Sequence, residues 1–374
     1  MSKARGAGRL AVEATLGVLE LVETLHRTIA SGPAVLGRPL ERPASLVTGA
    51  VYGTIRGVTR LVGDGVDAAL AQLEPLLSEG QSPALVAAPN GVLGDSLHDT
   101  RNPLAIAMSL RSSPPATIRV VVLVHGSSMN DRQWNRNGHD HGAALARDLG
   151  FTPVYAHYNS GLHVSVNGRE LSTKLEALLA AWPVPVDELV LLGHSMGGLV
   201  ARSACHAGAA AAWRRKLRAL ITLGTPHHGS PLERAGNWFE LLLGVSRYSA
   251  PFKRLATLRS AGVTDLRFGN VLDEHWQGRD RFDLETDARV PLPLPDDVAC
   301  YAIAATRSEA LNDSPRGDGL VPVDSALGRH SRPELTLAFP PDHQWVGVGM
   351  GHLDLLDRRD VYETLRAWLS ARSD

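Results

Sequence analysis

This sequence contains few cysteines and has almost no net charge. Its 374 residues include two cysteines, Cys205 and Cys300, too few for a disulfide framework, and neither has a C-x-x-C or Cys/His spacing typical of a metal site. A single bridge between them stays open, although buried free thiols are the favoured interpretation. Basic and acidic residues balance to a net charge of −1 without long runs of either sign, so no overall field favours nucleic acid or an anionic membrane.

Sequence signals for cofactors are missing as well. The glycine-rich stretches are not followed by the Lys-Ser/Thr pair of a phosphate-binding loop, and no stripe of basic and aromatic residues suggests nucleic acid. His227 and His228 are adjacent, so their side chains point to different sides, and no acidic residue has metal-ligand spacing to them. We therefore expect no cofactor, no metal and no nucleic-acid partner, and we expect this pair to line the rim of a site or to bond the backbone.

Long hydrophobic runs are also absent, since none approaches the length of a membrane span. Residues 1–30 are basic and then apolar, as in a signal peptide. Glu13, Glu20 and Glu23 interrupt the apolar part, and no small-residue cleavage site follows it cleanly. The sequence predicts a soluble, cytoplasmic protein.

The first 80 residues contain no convincing strand and are predicted to form an N-terminal helical subdomain. Three glycines spaced four apart, Gly49, Gly53 and Gly57, allow two helices to approach closely, which favours an α-hairpin. Charged residues along the same stretch count against membrane insertion, while contact with a membrane surface stays open.

From residue 84 the pattern changes, and a second, larger domain is predicted over 84–374. Residues 84–110 alternate short apolar stretches with turn residues, which suggests an antiparallel pair at a sheet edge. Strands are predicted at Thr117–Val124, Thr152–His157, Glu188–Leu192, Leu217–Gly224, Cys300–Ala305 and Leu335–Phe339. Helices are predicted at Gly142–Leu149, Arg169–Trp182, Leu199–Gly208 and Asp360–Ala371. This alternation predicts an α/β fold with a mostly parallel sheet and helices on both faces.

Residues 189–202 have the pattern of a buried strand, a sharp turn and a helix. Four apolar residues, Leu189–Leu192, are followed by a G-x-S-x-G turn at Gly193–Gly197, here called the elbow. The neighbours of the central residue must lack a Cβ to avoid the adjoining strand and helix. The elbow would lift the Ser195 hydroxyl clear of the sheet, at the positive end of the following helix.

A serine hydroxyl needs an imidazole to take its proton and a carboxylate to hold that imidazole. In a strand–elbow–helix fold the partners follow in the order Ser, acid, His. His352 follows glycines in a loop between the last strand and the final helix, and it is the favoured base. His343, expected in the same loop, is its rival, and His330 is more distant.

The acid is expected between Cys300 and the last strand. Asp318 is favoured because Gly317 and Gly319 flank it as in a tight turn that presents one side chain. Asp313 and Asp324 are the alternatives.

The oxyanion formed by attack on a carbonyl needs two donors. One should be the backbone N–H of Met196, directly after the nucleophile. The other should come from the loop after the Thr117–Val124 strand, where the backbone N–H of Ser127 is the candidate.

Five segments together resemble the α/β-hydrolase superfamily. They are HGSSMNDRQW (125–134), GHSMGG (193–198), GTPHHGS (224–230), GDGLVP (317–322) and GHLDLL (351–356). More narrowly, they are similar to lipase- and esterase-type members, including relatives of the GPI-inositol deacylase group. The resemblance covers residues 84–374 and implies an α/β-hydrolase fold with the catalytic triad Ser195, Asp318 and His352. It does not account for the N-terminal helices.

The expected function is hydrolysis of carboxylic esters, from small molecules or lipids, through an acyl-enzyme. Acyl transfer and hydrolysis of thioesters or amides use the same triad and stay open, as does the oligomeric state. Residues 231–294 interrupt the alternation with many large apolar side chains, including Trp238 and Leu242. We expect this insert to form a cap with an acyl pocket over the site, the alternative being a second small core.

Overall fold

The computed structural model describes residues 83–103, 105–230, 260–280, 287, 289–310 and 317–370. The predicted N-terminal helical subdomain lies outside these residues, as do Asp313 and most of the predicted cap, including Trp238 and Leu242. The larger compact unit of the chain comprises Pro83–Ser96 and Ile106–Asp374. None of the helices in the described ranges combines the length and apolarity needed to cross a membrane.

One sheet of seven strands organises this unit. Its strands are β1 (Ser109–Ser112), β2 (Arg119–Val124), β3 (Thr152–His157), β4 (Glu188–His194), β5 (Leu217–Leu223), β6 (Ala299–Ala305) and β7 (Gln344–Gly347). The described helices are α1 (Pro83–Asp99), α2 (His141–Leu149), α3 (Val164–Ala180), α4 (Met196–Ala207), α5 (Ala261–Asp265), α6 (Val323–Ala326) and α7 (Arg359–Ser370). The strand order is β1-β3-β2-β4-β5-β6-β7, with β1 antiparallel to β3 and every other pair parallel. The predicted mostly parallel sheet is confirmed.

Both faces of the sheet are buried, which explains the continuous apolar sequence of its central strands. In β2, Val120 and Val122 belong to one hydrophobic cluster while Val121 and Leu123 belong to the other. Such alternation follows from the two-residue period of a strand. Helices α3 and α4 pack on the face with Val120 and Val122, and helices α2 and α7 pack on the face with Val121 and Leu123.

Parallel strands bring the loops that follow them to one edge of the sheet. The loops after β2, β4, β5 and β6 contain the segments singled out by sequence, beginning at His125, Ser195, Gly224 and Thr306. In open α/β sheets the ligand crevice lies at this carboxyl-terminal edge.

Residues 84–110 do not form the predicted antiparallel pair, because most of them belong to helix α1. The one strand that begins in this segment, β1, lies at an edge of the sheet and is antiparallel to β3. The apparent turn residues serve packing instead. A Cβ on Gly91 would overlap the side chain of Ser128. The Asn90 side chain accepts a hydrogen bond from the Ile106 N–H at 2.9 Å. Glycine and asparagine occur in this segment because of packing and hydrogen bonds to other parts of the chain, and they do not mark a local turn.

The predicted strand Leu335–Phe339 is also wrong, since the last strand is β7. Its apolar alternation is real, because Leu335, Leu337 and Phe339 are all buried. The Leu337 N–H donates to the carbonyl of Gly328 at 2.8 Å, and the Phe339 N–H donates to that of Leu337 at 2.9 Å. These local bonds replace a strand ladder.

The two cysteines are free and buried, as the favoured interpretation predicted. Burial raises the pKa of both the Cys205 and the Cys300 thiol to about 12. Both thiols therefore stay protonated and unreactive near neutral pH.

Candidate active site

Ser195 occupies the sharp turn between β4 and α4. Its backbone has φ +55° and ψ −125°, a left-handed conformation that costs energy for any residue other than glycine. The Ser195 N–H donates to the carbonyl of Leu223 in β5 at 2.8 Å, which ties the elbow to the neighbouring strand. The Ser195 Oγ atom is buried and makes no hydrogen bond with any described residue. The strained backbone thus presents a hydroxyl without a structural partner.

The glycines of the elbow are required by close backbone contacts. A Cβ on Gly193 would lie 2.5 Å from the backbone N and Cα of Gly198. A Cβ on Gly197 would overlap the carbonyl oxygen of Val124, at the end of β2. Strand, turn and helix can pack together only because these positions lack side chains.

Gly197→Ala is expected to lower the free energy of unfolding by about 3 kcal/mol. The added Cβ would overlap the end of β2, and neither β2 nor the start of α4 can move away without disrupting the sheet. Gly150→Ala is the matched control, since Gly150 has φ +71° but no atom within 4 Å of its added Cβ. That control should lose only about 1 kcal/mol, the cost of a left-handed alanine. Urea denaturation measures both values, and equal losses would contradict the packing argument.

His352 and Asp318 form a buried pair. The His352 Nδ1–H donates to Asp318 Oδ2 at 2.7 Å, and the two residues are 4% and 1% exposed. The other carboxylate oxygen of Asp318 accepts hydrogen bonds from the backbone N–H groups of Leu320 and Val321, each at 2.8 Å. These charge-assisted bonds fix the carboxylate, which in turn orients the imidazole.

The backbones of the two loops are tied together as well. Gly317 and Gly319 adopt φ +89° and φ +96°, so the turn around Asp318 needs glycine on both sides. The Asp318 carbonyl accepts the His352 N–H at 3.2 Å and the Arg307 Nε–H at 3.0 Å. Main chain and side chain thus hold acid and base in one arrangement.

His343 does not share the loop of His352, contrary to prediction. It ends a short 3₁₀ helix, Pro341–His343, that leads into β7, whereas His352 follows β7 and begins the 3₁₀ helix His352–Leu356. The His343 Nδ1 atom lies 3.1 Å from the carbonyl oxygen of Cys300. The two histidines are therefore at opposite ends of the strand.

Two of the remaining alternatives, His330 and Asp324, are engaged elsewhere, whereas Asp313 lies outside the described residues. His330 Nε2 lies 3.6 Å from a carboxylate oxygen of Asp287. Asp324 is in α6 and pairs with Arg329 at 3.3 Å on the surface. Neither contacts the His352–Asp318 pair through a hydrogen bond.

The loop after β2 lies against the nucleophile. A Cβ on Gly126 would be 3.1 Å from the Cβ of Ser195, and Ser127 comes next. The His125 Nδ1–H donates to the Gly126 carbonyl at 2.8 Å. Because C=O and N–H point in opposite directions across a trans peptide, this bond also sets the direction of the Ser127 N–H. Met196 is the first residue of α4, where a backbone N–H has no partner within the helix.

His194 was not singled out by sequence, although it precedes the nucleophile directly. It is completely buried, and its Nε2–H donates to the backbone carbonyl of His352 at 3.2 Å. The variable position of a G-x-S-x-G turn carries no signal for such a contact, because the partner is 158 residues away in the chain.

The adjacent histidines follow the prediction only in part. His228 lies 2.9 Å from the Gly328 carbonyl through Nε2, which is the expected bond to backbone. His227 is instead completely buried, with its ring nitrogens 3.3 Å from Arg202 and 3.3 Å from Thr222. Within the described ranges, no three His, Cys, Asp or Glu side chains gather in a way that could hold a metal ion.

Several buried histidines are neutral in the folded protein. Burial lowers the pKa of His125 to about 3 and that of His141 to about 4, and it lowers the pKa of His194 and His227 well below 6.5. At His125 and His141, the unfolded chain binds protons as the pH falls through about 6.5, whereas the folded protein does not until near pH 3 to 4. Stability should therefore be lost across this window.

We therefore expect the urea concentration at the unfolding midpoint to decrease when the pH is lowered from about 7.5 to about 5. His141→Gln should make this fall smaller, because an amide can still donate to the Leu355 carbonyl, which His141 Nε2 reaches at 2.9 Å, but does not titrate. A midpoint that stays constant or rises toward pH 5 would contradict neutral burial of these rings.

Comparison with known proteins adds a family match. Residues 116–280, less than half of the chain, match the model of the PGAP1-like alpha/beta domain. No protein with a curated description matches the chain.

Several solved structures are similar. Mature lipase BlEst2 of Bacillus licheniformis has 17% identity and a TM-score of 0.44, over 70% of this chain and 97% of that one. Alpha/beta hydrolase domain-containing protein 10 from mouse has 12% identity and a TM-score of 0.39, over 70% and 92%. The NocB thioesterase domain, in covalent complex with a fluorophosphonate nocardicin G analog, has 15% identity and a TM-score of 0.40, over 70% and 99%.

The observed strand order and the turn at Ser195 also agree with the predicted fold. A mostly parallel sheet, helices on both faces and a serine between a central strand and the next helix are the arrangement that the sequence predicted. The described residues thus have the α/β-hydrolase fold, and residues 116–280 are similar to the PGAP1-like alpha/beta domain.

Proposed function

We propose that the protein is a serine hydrolase that cleaves carboxylic esters through an acyl-enzyme. Ser195 is the nucleophile, His352 the general base and acid, and Asp318 the residue that orients His352. The observation that carries this proposal is the buried 2.7 Å bond between His352 Nδ1 and Asp318 Oδ2, at the sheet edge where Ser195 adopts its strained turn. A nucleophile, a base and an acid that orients the base are what acyl transfer to serine requires.

In the first step, His352 accepts the proton of Ser195 as the hydroxyl oxygen attacks the ester carbonyl. Because Nδ1 donates to Asp318, the neutral imidazole has an unprotonated Nε2, which is the nitrogen that a general base needs. The carboxylate then stabilises the imidazolium that forms. Apo enzymes commonly lack a tight bond between nucleophile and base, so substrate completes this contact.

Attack places a negative charge on the former carbonyl oxygen. The backbone N–H groups of Met196 and Ser127 are proposed to donate to it, from the start of α4 and from the loop after β2. The helix dipole of α4 favours the same charge. Because the His125 ring is fixed on the Gly126 carbonyl, the Ser127 donor needs little reorganisation when the charge develops.

Collapse of the tetrahedral intermediate breaks the bond to the leaving alcohol, which takes the proton from His352. Water then attacks the acyl-enzyme while His352 accepts a proton from it, and a second collapse breaks the bond to Ser195 Oγ, which takes the proton from His352 and releases the carboxylic acid. Apart from the ester and water, every group in this cycle comes from the chain itself, so the proposed reaction needs no metal or organic cofactor.

A panel of p-nitrophenyl esters of graded acyl length, with matching thioesters and anilides, tests the proposal. We expect turnover of esters, with a preferred acyl length that identifies the pocket. Faster turnover of thioesters or anilides would assign the same triad to a thioesterase or an amidase, and transfer to an added alcohol would assign an acyltransferase. Failure of the folded protein to turn over any of these substrates would overturn the assignment.

A further inference from the structure

We propose that His194 is a positioning residue that couples the nucleophile elbow to the general base. It would do so by holding the main chain of His352 through a side-chain hydrogen bond. This inference rests on the proposed function of Ser195 and His352, and it gives a role to the variable residue of the G-x-S-x-G turn.

The geometry joins two loops that are far apart in the chain. His194 ends β4 immediately before Ser195, and its Nε2–H donates to the carbonyl of His352 at 3.2 Å. The two rings lie 4.8 Å apart between centroids, at an angle of 45°. One rigid strand thus fixes both the nucleophile and the backbone of the base.

Two hydrogen bonds join His352 to the acid loop, and His194 adds one from a different part of the chain. Asp318 fixes the ring of His352 at Nδ1, and its carbonyl accepts the His352 N–H, so both contacts come from the acid loop. His194 contributes a hydrogen bond from the strand that carries the nucleophile. The distance from Ser195 to the base depends on that bond, and a displacement of 1 Å costs about 10²-fold in rate.

The 3₁₀ helix that begins with the base is held by a second imidazole. The His141 Nε2–H donates to the Leu355 carbonyl at 2.9 Å, near the other end of the helix His352–Leu356. Two buried imidazoles therefore bind two carbonyls of one short helix, but only His194 reaches the carbonyl of the base itself.

The neutral state of His194 suits this role. Its Nε2 must carry the proton in order to donate, and Nδ1 is buried without a hydrogen bond to a described residue. The titratable groups around the ring are His352, His141 and His125. A charged His194 would oppose the imidazolium that forms on His352 during catalysis, whereas a neutral ring does not.

His194→Gln and His194→Asn form a matched pair that tests the bond. Both replace the ring with the same amide, but the glutamine N–H extends to the place of Nε2, and the asparagine N–H extends only to the place of Nδ1. We expect His194→Asn to lower kcat per fluorophosphonate-titrated site by about 10- to 100-fold with KM nearly unchanged, because the base is misplaced. His194→Gln should restore kcat to within about fivefold of the parent enzyme.

His227→Leu is the control for general loss of packing. His227 is equally buried, and its ring nitrogens face Arg202 and Thr222, not the base loop. The His227→Leu variant should have a lower Tm but an unchanged kcat per fluorophosphonate-titrated site. Equal kcat in the glutamine and asparagine variants, or an asparagine variant that loses only Tm, would overturn the role of His194. A parent protein that is neither labelled nor active would instead overturn the proposed function, and this role with it.

Discussion

Ser195→Ala is expected to keep the fold and to reduce ester hydrolysis by about 10³-fold or more. The substitution removes only the hydroxyl, whose Oγ makes no hydrogen bond with a described residue, so no structural contact is lost. Alanine carries the same Cβ, so the backbone strain at φ +55° is unchanged. The measurement compares kcat/KM on the best ester of the panel with Tm and the circular dichroism spectrum.

Ser203→Ala is the matched control for this substitution. Ser203 is also buried and lies on the same helix, α4, but it faces Gly168 of α3 instead of the sheet edge. Its variant should keep full activity. A folded Ser195→Ala protein that still turns over esters would show that the nucleophile lies elsewhere.

His352→Ala is expected to cost about as much as Ser195→Ala, because members of a triad act as a unit and their effects do not add. Asp318→Asn should cost somewhat less. An asparagine amide facing His352 can donate to Nδ1, which then accepts, and the ring would carry its proton on Nε2. In that tautomer the imidazole cannot take the proton of Ser195.

His343→Ala serves as the control for the base. His343 precedes β7 and lies against the Cys300 carbonyl and the Tyr301 ring, whose centroid is 4.0 Å from its own. The variant should retain activity and lose only some stability. An inactive His343→Ala protein beside an active His352→Ala protein would reverse the assignment. Initial rates at saturating ester, with Tm for each variant, separate the two effects.

The sheet and the elbow could be predicted because their signals are local. A strand buried on both faces must be apolar throughout, as in β2 and β4, and the close contacts of Gly193 and Gly197 allow no side chain. The pairing of His352 with Asp318 also follows from chain order, given the fold. The residue pattern alone therefore predicts these features, even though some of their contacts join distant residues.

Features that depend on contacts between distant segments were missed. Gly91 appeared to mark a turn, but it belongs to α1 and makes room for Ser128. The predicted strand at Leu335–Phe339 failed for a different reason, because its side chains alternate as in a strand while its backbone hydrogen bonds are local. Composition gives no sign of the contact from His194 to His352, because it joins two elements through a backbone carbonyl.

Mass spectrometry of the protein after reaction with a fluorophosphonate tests the central claim most directly. The probe reacts with a serine only when a neighbouring base activates its hydroxyl, so no guess about the substrate is needed. We predict one adduct per chain, located by peptide mapping at Ser195 and absent from Ser195→Ala and His352→Ala. Labelling of a different residue, or hydrolysis of esters by a protein that the probe does not label, would contradict the account.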